Sequence, residues 1–564
     1  MLDWWRSLER PPEPLTRAQR LAAIAAALAA AVSRVLAITR SPWDWDELLF
    51  MRALDHFDVA AHSPHPPGFP LFILAGKALR AFGLSDFRAL QSIDFLAAIA
   101  IVPAMIWLCR ELRMPAWTAI AAGLLLAFFP NVWVYGGGAF SDVPSMTLIV
   151  IAFALLMAGC RSASAYLAGA AVLAVSIGVR PQNLIVGLAP LILASFFRRW
   201  PQIAAAIATI TIVDGASYGA AAWLTGWSEY REALTWHRNY ITRVDSFLSP
   251  LRPPLWRLFD DFFIRPYRAP VINTILAILV IAGLVRRRPS SLVALAAFGP
   301  LCFFSWLMLD HLSVSRFSIG YAPLMAILAA DGLGVLSASV VILMVIWTWP
   351  ALTEVRGTIS PPVAAMESIR GTATVYVDGG MVPFSEWYLR DHRLEFIGDA
   401  QPRATFGAAR GVWLHERWGE APHRRLWEIV RHRYYDVAAD SIGAIAFGPG
   451  WYYEEKSGDQ IWRWMGLHSE ATLPPATSKT HLTLHLYAPL DAMAAPPNIT
   501  IRINGAIVDQ FRATTADIER EIAVRAYADR PNVLTIDTDR VATTPRDPRA
   551  LGLRLNALLW TTGA

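Results

Sequence analysis

Long apolar segments recur over the first 350 residues of this chain and are absent after about residue 355. A helix needs about 20 consecutive apolar residues to cross a hydrocarbon core of about 30 Å. Hydrophobic residues make up 55% of the sequence and charged residues only 17%, which excludes an ordinary soluble protein. We therefore predict an integral membrane protein that continues into a soluble C-terminal region.

We predict about eleven membrane-spanning helices joined mostly by short loops. The first follows a basic segment that is too long for a cleavable signal peptide, so it is expected to remain as an anchor. Arginines recur in alternate short loops, which the positive-inside rule assigns to the cytoplasm. The predicted spans are residues 21–38, 87–109, 115–130, 143–159, 163–179, 183–197, 202–224, 269–285, 290–308, 316–331 and 334–350.

The odd number of spans places the two termini on opposite sides of the membrane. The basic segment before the first span and the basic loops predict a cytoplasmic N-terminus, and therefore an extracytoplasmic C-terminal region. The expected location is the inner (plasma) membrane of a bacterium. If the last two spans are one broken helix, the C-terminal region would instead be cytoplasmic. The three cysteines lie in or beside predicted spans, so no disulfide framework is indicated. Cytoplasmic arginines that face anionic lipid account for much of the net charge of +5, and nucleic acid is not indicated as a partner.

Three long loops, residues 39–86, 131–142 and 225–268, are predicted to lie outside the membrane. The first begins with an acidic cluster of Asp44, Asp46 and Glu47. A capping box at the start of a short interfacial helix explains Asp44 and Glu47. It explains Asp46 less well, because a third acid beside a membrane adds repulsion and desolvation that a cap does not need. We therefore predict that Asp46 is a catalytic residue and that Glu47 supports it.

The acidic pair is followed by His65, which directly precedes Pro66 and Pro67 and an apolar segment. This order resembles the GT-C superfamily of polyprenyl-phosphate-sugar glycosyltransferases, especially protein O-mannosyltransferases and aminoarabinose transferases. The resemblance implies that Asp46 is the catalytic base. It also implies a donor made of a sugar linked to polyprenyl phosphate, while the acceptor is left open among protein, lipid and polysaccharide.

Two weaker motifs follow in the order that the resemblance implies. Ser141-Asp142-Val143-Pro144 resembles a Ser-Asp-x-Pro motif that carries a second catalytic acid, here Asp142; the alternative is a helix N-cap with an acid in the first turn. The segment from His311 to Arg316 and the apolar span after it resemble the basic, proline-containing last core span. The alternative for Arg316 is an arginine that snorkels to the interface.

A lipid-linked donor presents its phosphate at the membrane surface, so the reaction needs a base for the acceptor and positive charge for the departing phosphate. A single displacement would invert the anomeric centre. Arg180 lies in a tight outer hairpin, where a forked guanidinium is suited to binding phosphate. The alternative is that Arg180 anchors the hairpin at the membrane interface. Loop 225–268 is rich in arginine and aromatic residues, which favours contact with an anionic headgroup. The predicted phosphate-binding residues are His65, Arg180, Arg238, His311 and Arg316.

No cofactor is required by these motifs, and the His and Cys spacing gives no zinc site. Asp46 and Asp142 are nevertheless able to share a divalent cation, Mg²⁺ or Mn²⁺.

The region after the spans is predicted to contain two domains. Residues 355–450 mix strand and helix patterns and indicate a small α/β domain. Residues 451–564 alternate apolar and polar residues between turns, which favours a β-sandwich of jelly-roll type. Trp462 and Trp464 are predicted either to form a sugar-binding platform or to pack in the core or between domains. With residues 1–354 as the membrane domain, the fold class is a polytopic α-helical GT-C-like protein with a soluble α/β and β-sandwich region.

Two other functions compete with the transferase. A transporter or flippase of lipid-linked sugars would carry charges deep within its spans and paired interrupted helices. Most charges here lie at the predicted span ends. A membrane-anchored glycan-binding protein would leave Asp46 and Asp142 without a role.

Overall fold

The computed structural model describes most of the chain, and the structural statements below concern that part. The described residues are 2–250, 252–309, 313–369, 374–398, 411–417, 426, 429, 436–442, 445–457, 460–476, 480–544 and 547–562.

Helices dominate the first 360 residues. They are α1 (Leu2–Ser7), α2 (Arg17–Arg34), α3 (Trp45–Asp55), α4 (Pro70–Ala81), α5 (Asp86–Glu111), α6 (Ala116–Phe128), α7 (Pro130–Tyr135), α8 (Asp142–Ala158), α9 (Ala163–Val179), α10 (Asn183–Ser195), α11 (Trp200–Thr225), α12 (Trp227–Tyr240), α13 (Leu255–Phe259), α14 (Pro270–Arg286), α15 (Pro289–Met308), α16 (Val314–Phe317), α17 (Ala322–Leu333) and α18 (Ser339–Gly357).

Five helical segments of the described chain are long and apolar enough to cross a membrane, and five shorter apolar helices accompany them. The long segments are Arg17–Ala37, Asp86–Glu111, Trp200–Thr225, Pro289–Met308 and Val314–Ser368. This confirms an integral membrane protein. A helix occupies the position of each predicted span, while the number of crossings and the orientation stay predictions. No loop separates the last predicted pair, because a 3₁₀ turn at Gly334–Ala338 joins α17 directly to α18.

Small residues let the membrane helices approach closely. A Cβ atom at Gly283 of α14 would lie 2.0 Å from the carbonyl oxygen of Leu328 in α17. A Cβ atom at Gly332 of α17 would lie 2.2 Å from the carbonyl oxygen of Leu279 in α14. Neither position accepts a side chain without separating the two helices, so the glycines fix the position of α17 and of the loop before it.

Chain contacts divide the protein into two units, residues 1–360 with 420–434 and residues 361–419 with 435–564. The predicted boundaries at residues 354 and 450 stay predictions. Residues 424–431, one of the helix patterns that the sequence predicts in the α/β domain, lie outside the described residues except for Leu426 and Ile429. The second unit contains α19 (Pro361–Ser368), α20 (Val382–Tyr388) and the strands β1 (Thr374–Asp378), β2 (Leu394–Gly398), β3 (Gly411–Arg417), β4 (Asp436–Ile442), β5 (Ala446–Phe447), β6 (Trp451–Ser457), β7 (Gln460–Met465), β8 (His468–Leu473), β9 (Thr480–Tyr487), β10 (Asn498–Ile503), β11 (Ala506–Arg512), β12 (Asp517–Val524), β13 (Asn532–Thr538), β14 (Ala542–Thr544), β15 (Asp547–Leu551) and β16 (Arg554–Thr562).

The second unit combines an α/β sheet with a β-sandwich. The α/β sheet has the order β2-β1-β3-β4, with β1 parallel to β2 and β3 and β4 antiparallel to β3. The sandwich consists of one sheet of order β11-β10-β13-β8-β5 and another of order β12-β9-β16-β7-β6. Inward residues such as Leu482 and Leu484 of β9 and Ile501 of β10 are buried in one apolar core between the sheets. Their neighbours along each strand face outward, as the alternation predicts.

Candidate active site

The acidic cluster lies at the start of α3, where a helix exposes unpaired backbone N–H groups. The Asp44 carboxylate accepts a hydrogen bond from the Asp46 N–H at 2.9 Å. Glu47 Oε2 accepts from the N–H groups of Trp43 at 2.6 Å and Asp44 at 3.0 Å. Asp44 and Glu47 therefore form the predicted capping box. The Asp46 side chain takes no part in it and remains 18% exposed, so Asp46 is the acid of the cluster that is available to a ligand.

Arg316 binds this cluster, although it lies far from it in the sequence of the same unit. Its Nη2 atom lies 2.6 Å from Asp46 Oδ2, and its Nη1 atom lies 3.5 Å from Asp44 Oδ1. The guanidinium also lies over the rings of Phe140 at 5.8 Å and Phe317 at 5.3 Å. The guanidinium is buried and bridges two carboxylates inside the unit, whereas a snorkelling arginine, the predicted alternative, extends its charge toward water.

His65 approaches the carboxylate oxygen of Asp46 that Arg316 does not bind. Its Nδ1 atom is 3.6 Å from Asp46 Oδ1, and its ring packs edge-on against Phe69 at 4.7 Å. Burial lowers the pKa of His65 to about 4, although the nearby Asp46 charge opposes this shift, so the imidazole is neutral at pH 7. Burial alone would raise the pKa of Asp46, but the charge of Arg316, that of a protonated His65 and the hydrogen bond from Arg316 together outweigh it and hold the pKa below its usual value. Asp46 is therefore ionised at neutral pH.

Arg180 and Asp142 form a second ion pair next to the first. Nη1 of Arg180 lies 2.7 Å from Asp142 Oδ1, and Nη2 donates to Asp142 Oδ2 at 2.8 Å. Its Nε atom donates to Ser141 Oγ at 2.9 Å. The Arg180 guanidinium lies 5.6 Å from the centre of the Phe69 ring, whose edge also contacts His65. The Ser-Asp motif and the hairpin arginine, predicted separately, thus form one unit, with Phe69 between it and His65.

Glu47 also ties the first outer loop to the second. Its Oε1 atom accepts from the Ala139 N–H at 2.8 Å, so both carboxylate oxygens are used by backbone amides. A Cβ atom at Gly138 would lie 2.8 Å from that oxygen, and one at Gly137 would lie 1.9 Å from the Ala37 carbonyl oxygen. The glycines therefore allow two loops to meet at backbone distance, and Glu47 holds them together as a positioning residue.

Burial raises the pKa of Glu47 to about 7. A raised pKa in the folded state stabilises the protein below the ordinary carboxyl pKa of about 4.3, and this contribution is lost as the pH rises through 7. We expect the melting temperature of the wild type to decrease between pH 5.5 and pH 8. Glu47→Gln should flatten this part of the pH dependence and lower stability by about 1–3 kcal/mol, since its NH₂ group must face a backbone donor. Equal pH dependence of melting in both proteins would contradict this assignment.

One predicted phosphate ligand, Arg238, is exposed on α12 and is not part of this arrangement. Another, His311, lies outside the described residues. The neighbouring His237 is half-buried, and burial lowers its pKa while the Asp46 charge opposes the shift. The structure thus brings His65, Arg180 and Arg316 together around Asp46, and of α12 it turns His237 rather than Arg238 toward them.

Sequence reasoning missed Phe69 and a pair of charges inside the membrane unit. Asp94 lies eight residues after the start of α5, about 12 Å along the helix. Both Asp94 and Arg34, the last residue of α2, are fully buried. Together with Asp214 in α11, they are exceptions to the expectation that charges lie at span ends. The signal was present, because each is a charged residue within an apolar segment; nothing local distinguishes Phe69 from its aromatic neighbours.

No family model and no curated protein matches this sequence. Among solved structures, the chain is similar to ArnT from Cupriavidus metallidurans bound to undecaprenyl phosphate, with 13% identity over 71% of this chain and 94% of that chain and a TM-score of 0.49. It is also similar to the arabinofuranosyltransferase AftD from mycobacteria, with 12% identity over 99% of this chain and 60% of that chain and a TM-score of 0.40. These likenesses concern the fold alone.

Proposed function

We propose that this protein transfers a sugar from a polyprenyl-phosphate-linked donor to an acceptor on the extracytoplasmic side of the membrane. The observation that carries the proposal is Asp46, an ionised and partly exposed carboxylate held by Arg316 at 2.6 Å in the first long loop. A second guanidinium, Arg180, lies close by on the far side of the Phe69 ring. Such a set supplies both a proton acceptor and positive charge for a leaving phosphate.

Asp46 would act as the general base. Arg316 occupies Asp46 Oδ2, which leaves Oδ1 to accept the proton of the acceptor hydroxyl or amine. As the acceptor atom bonds to the anomeric carbon, the bond from that carbon to the phosphate oxygen breaks, and its electron pair stays on the phosphate. The lowered pKa makes Asp46 a weak base, so proton transfer would occur late, when the attacking atom is already acidic. This single displacement inverts the anomeric centre.

Arg316 and Arg180 would stabilise the charge that grows on the departing phosphate. Each guanidinium keeps N–H groups beyond those used by Asp44, Asp46, Ser141 and Asp142, and a forked donor suits phosphate oxygens. We assign Asp142 a positioning role, because it holds Arg180 through two atoms. His65, neutral at pH 7, would contribute a hydrogen bond rather than charge. The phosphate roles of Arg238 and His311 remain predictions.

An apolar pocket next to Arg316 suits the lipid part of the donor. It is bordered by Asn131, whose amide donates to the Ser315 carbonyl at 2.7 Å and to Ser318 Oγ at 2.9 Å. Ser315, which Asn131 contacts, directly precedes Arg316 in the chain. A phosphate bound at Arg316 would therefore bring the first isoprenoid units of the lipid toward this pocket. Apolar residues that line the pocket include Phe262, Phe263, Leu276, Val280 and Met325.

The predicted divalent cation enters no step of this proposal. In the described part of the chain, no group of three or more His, Cys, Asp or Glu residues is arranged to hold a metal ion. Asp46 and Asp142, the acids that would share it, are each paired with an arginine. Cation dependence stays a prediction. It is tested by measuring transfer activity after the protein has been treated with a chelator.

Transfer of label from polyprenyl-phosphate sugars tests the function directly. Purified protein would be incubated with a panel of donors that differ in the sugar, together with cell-envelope acceptors. We expect transfer from one donor and release of one polyprenyl phosphate per sugar transferred. If no donor is used while labelled lipid crosses the bilayer of proteoliposomes, the protein is a transporter and the proposal is wrong.

The pH profile identifies the base. Because the pKa of Asp46 is lowered, its carboxylate stays ionised above pH 5 and becomes protonated only in stronger acid. We therefore expect kcat/KM to stay constant from pH 8 to pH 5.5. The measurement should include Glu47→Gln, so that the titration of Glu47 is separated from that of the base. A fall near pH 6.5 that disappears in His65→Asn would instead make the histidine the base.

A further inference from the structure

One outward face of the β-sandwich carries a row of aromatic side chains around an arginine. In the sheet β12-β9-β16-β7-β6, Arg554 pairs in register with Trp464 of β7 and with Tyr487 of β9. Its guanidinium carbon lies 4.5 Å from the centre of the Tyr487 ring and 5.9 Å from that of Trp464. All three side chains are half-buried, so they are accessible at the surface while neighbouring side chains support them.

A second tryptophan extends this row and is held rigidly. The Arg554 guanidinium carbon lies 5.4 Å from the Trp462 ring. The Trp462 indole N–H donates to Glu455 Oε2 at 3.0 Å, and Arg549 donates to Glu455 Oε1 at 2.6 Å. The ring therefore has a fixed orientation, as a binding platform needs and a loosely packed surface residue does not.

Arg554 differs from other arginines of the sandwich in its charge balance. Arg549 pairs with Asp547 and Glu455, and Arg520 pairs with Asp509 at 3.2 Å. Among the described residues, no acid lies within ion-pair distance of Arg554. Asp517, which follows Tyr487 in the same row, forms no ion pair with it. The Arg554 guanidinium donates no hydrogen bond to any residue that the structure describes. Its Nε–H is buried, so its Nη N–H groups are the ones that can bind an anion.

We propose that this platform, formed by Trp462, Trp464, Tyr487 and Arg554, binds a sugar that carries a carboxylate or a phosphate group. The aromatic rings offer flat apolar surface to the C–H face of a pyranose, and the guanidinium offers a fork to the anionic group. This favours the sugar-binding alternative for Trp462 and Trp464 over interior packing. The inference does not depend on the transferase reaction, since binding is measured without a donor.

The test uses the full-length protein in detergent and three probes: a uronic-acid trisaccharide, a hexose phosphate, and the carboxyl-reduced neutral form of the trisaccharide. We expect saturable binding of at least one anionic probe in isothermal titration calorimetry, about tenfold tighter than that of the neutral sugar. Whichever anionic probe binds identifies the anionic group. Arg554→Gln should weaken that probe at least about tenfold and leave the neutral sugar nearly unchanged. Trp464→Phe should weaken both sugars by a smaller factor.

Arg520→Gln is the matched control. Arg520 also lies over an aromatic ring of the sandwich, at 4.0 Å from Phe511, but it has an acidic partner. Its substitution should leave binding unchanged. If neither anionic probe binds, or if Arg554→Gln and Arg520→Gln affect binding equally, the proposal is overturned. Arg554→Lys, which keeps the charge at the surface, should fold normally and lose less affinity than Arg554→Gln.

Discussion

Replacing Asp46 by asparagine is expected to lower kcat about 10²–10⁴-fold, the usual contribution of a general base. Asparagine has the shape of aspartate but does not accept a proton at neutral pH. The fold should survive, because the capping box uses Asp44 and Glu47 and not the Asp46 side chain. Arg316 keeps Asp44 at 3.5 Å and gains an amide oxygen in place of the carboxylate.

The measurement is single-turnover transfer with saturating donor, together with donor binding and thermal unfolding. Asp55→Asn serves as the control, since Asp55 closes the same helix, is more exposed and pairs with Arg80 at a distance from the cluster. Donor affinity should change little in Asp46→Asn, and Asp55→Asn should retain its rate. Equal rates in the wild type and Asp46→Asn would remove Asp46 as the base.

Replacing Arg316 by glutamine is expected to reduce both activity and stability. Loss of one preorganised donor to a developing anion lowers kcat about 10²–10³-fold. Removing one partner of a buried ion pair also costs about 3–5 kcal/mol, because Asp44 and Asp46 would face each other without a cation. Arg316→Lys should recover part of the stability but little of the rate, since one ammonium does not bridge two carboxylates and bind phosphate as a fork.

The control variant Arg161→Gln separates the loss of stability in Arg316→Gln from its loss of activity. Arg161 binds Glu111 through two hydrogen bonds of 2.7 Å elsewhere in the same unit, so its loss should also destabilise the fold. Its kcat, measured on folded protein, should remain that of the wild type.

In the double variant Asp46→Asn with Arg316→Gln, the losses in rate should be less than additive, because both residues act in one ion pair. Full additivity would show that they act independently.

The order of the elements could be predicted from the sequence because it depends on local patterns. The span predicted at residues 163–179 coincides with α9, since apolar length is read directly from the chain. The strands of the sandwich, such as β9, were likewise predictable, because the alternation of apolar and polar residues is read directly from the chain. The capping box of Asp44 and Glu47 was also predictable, because its partners are three residues apart.

The site itself depends on contacts between residues far apart in the sequence. The pairing of Arg316 with Asp46, of Arg180 with Asp142, and of Glu47 with the Ala139 amide follows from how the helices and loops pack. Several arginines were equal candidates for phosphate, because composition shows charge but not which guanidinium reaches which carboxylate. The sequence by itself determined that the chain is an integral membrane protein, the strand pattern, and which acid of the cluster helix capping does not use. Only the tertiary structure decided which cations meet that acid, since ion pairs depend on distances of a few ångströms that no local pattern encodes.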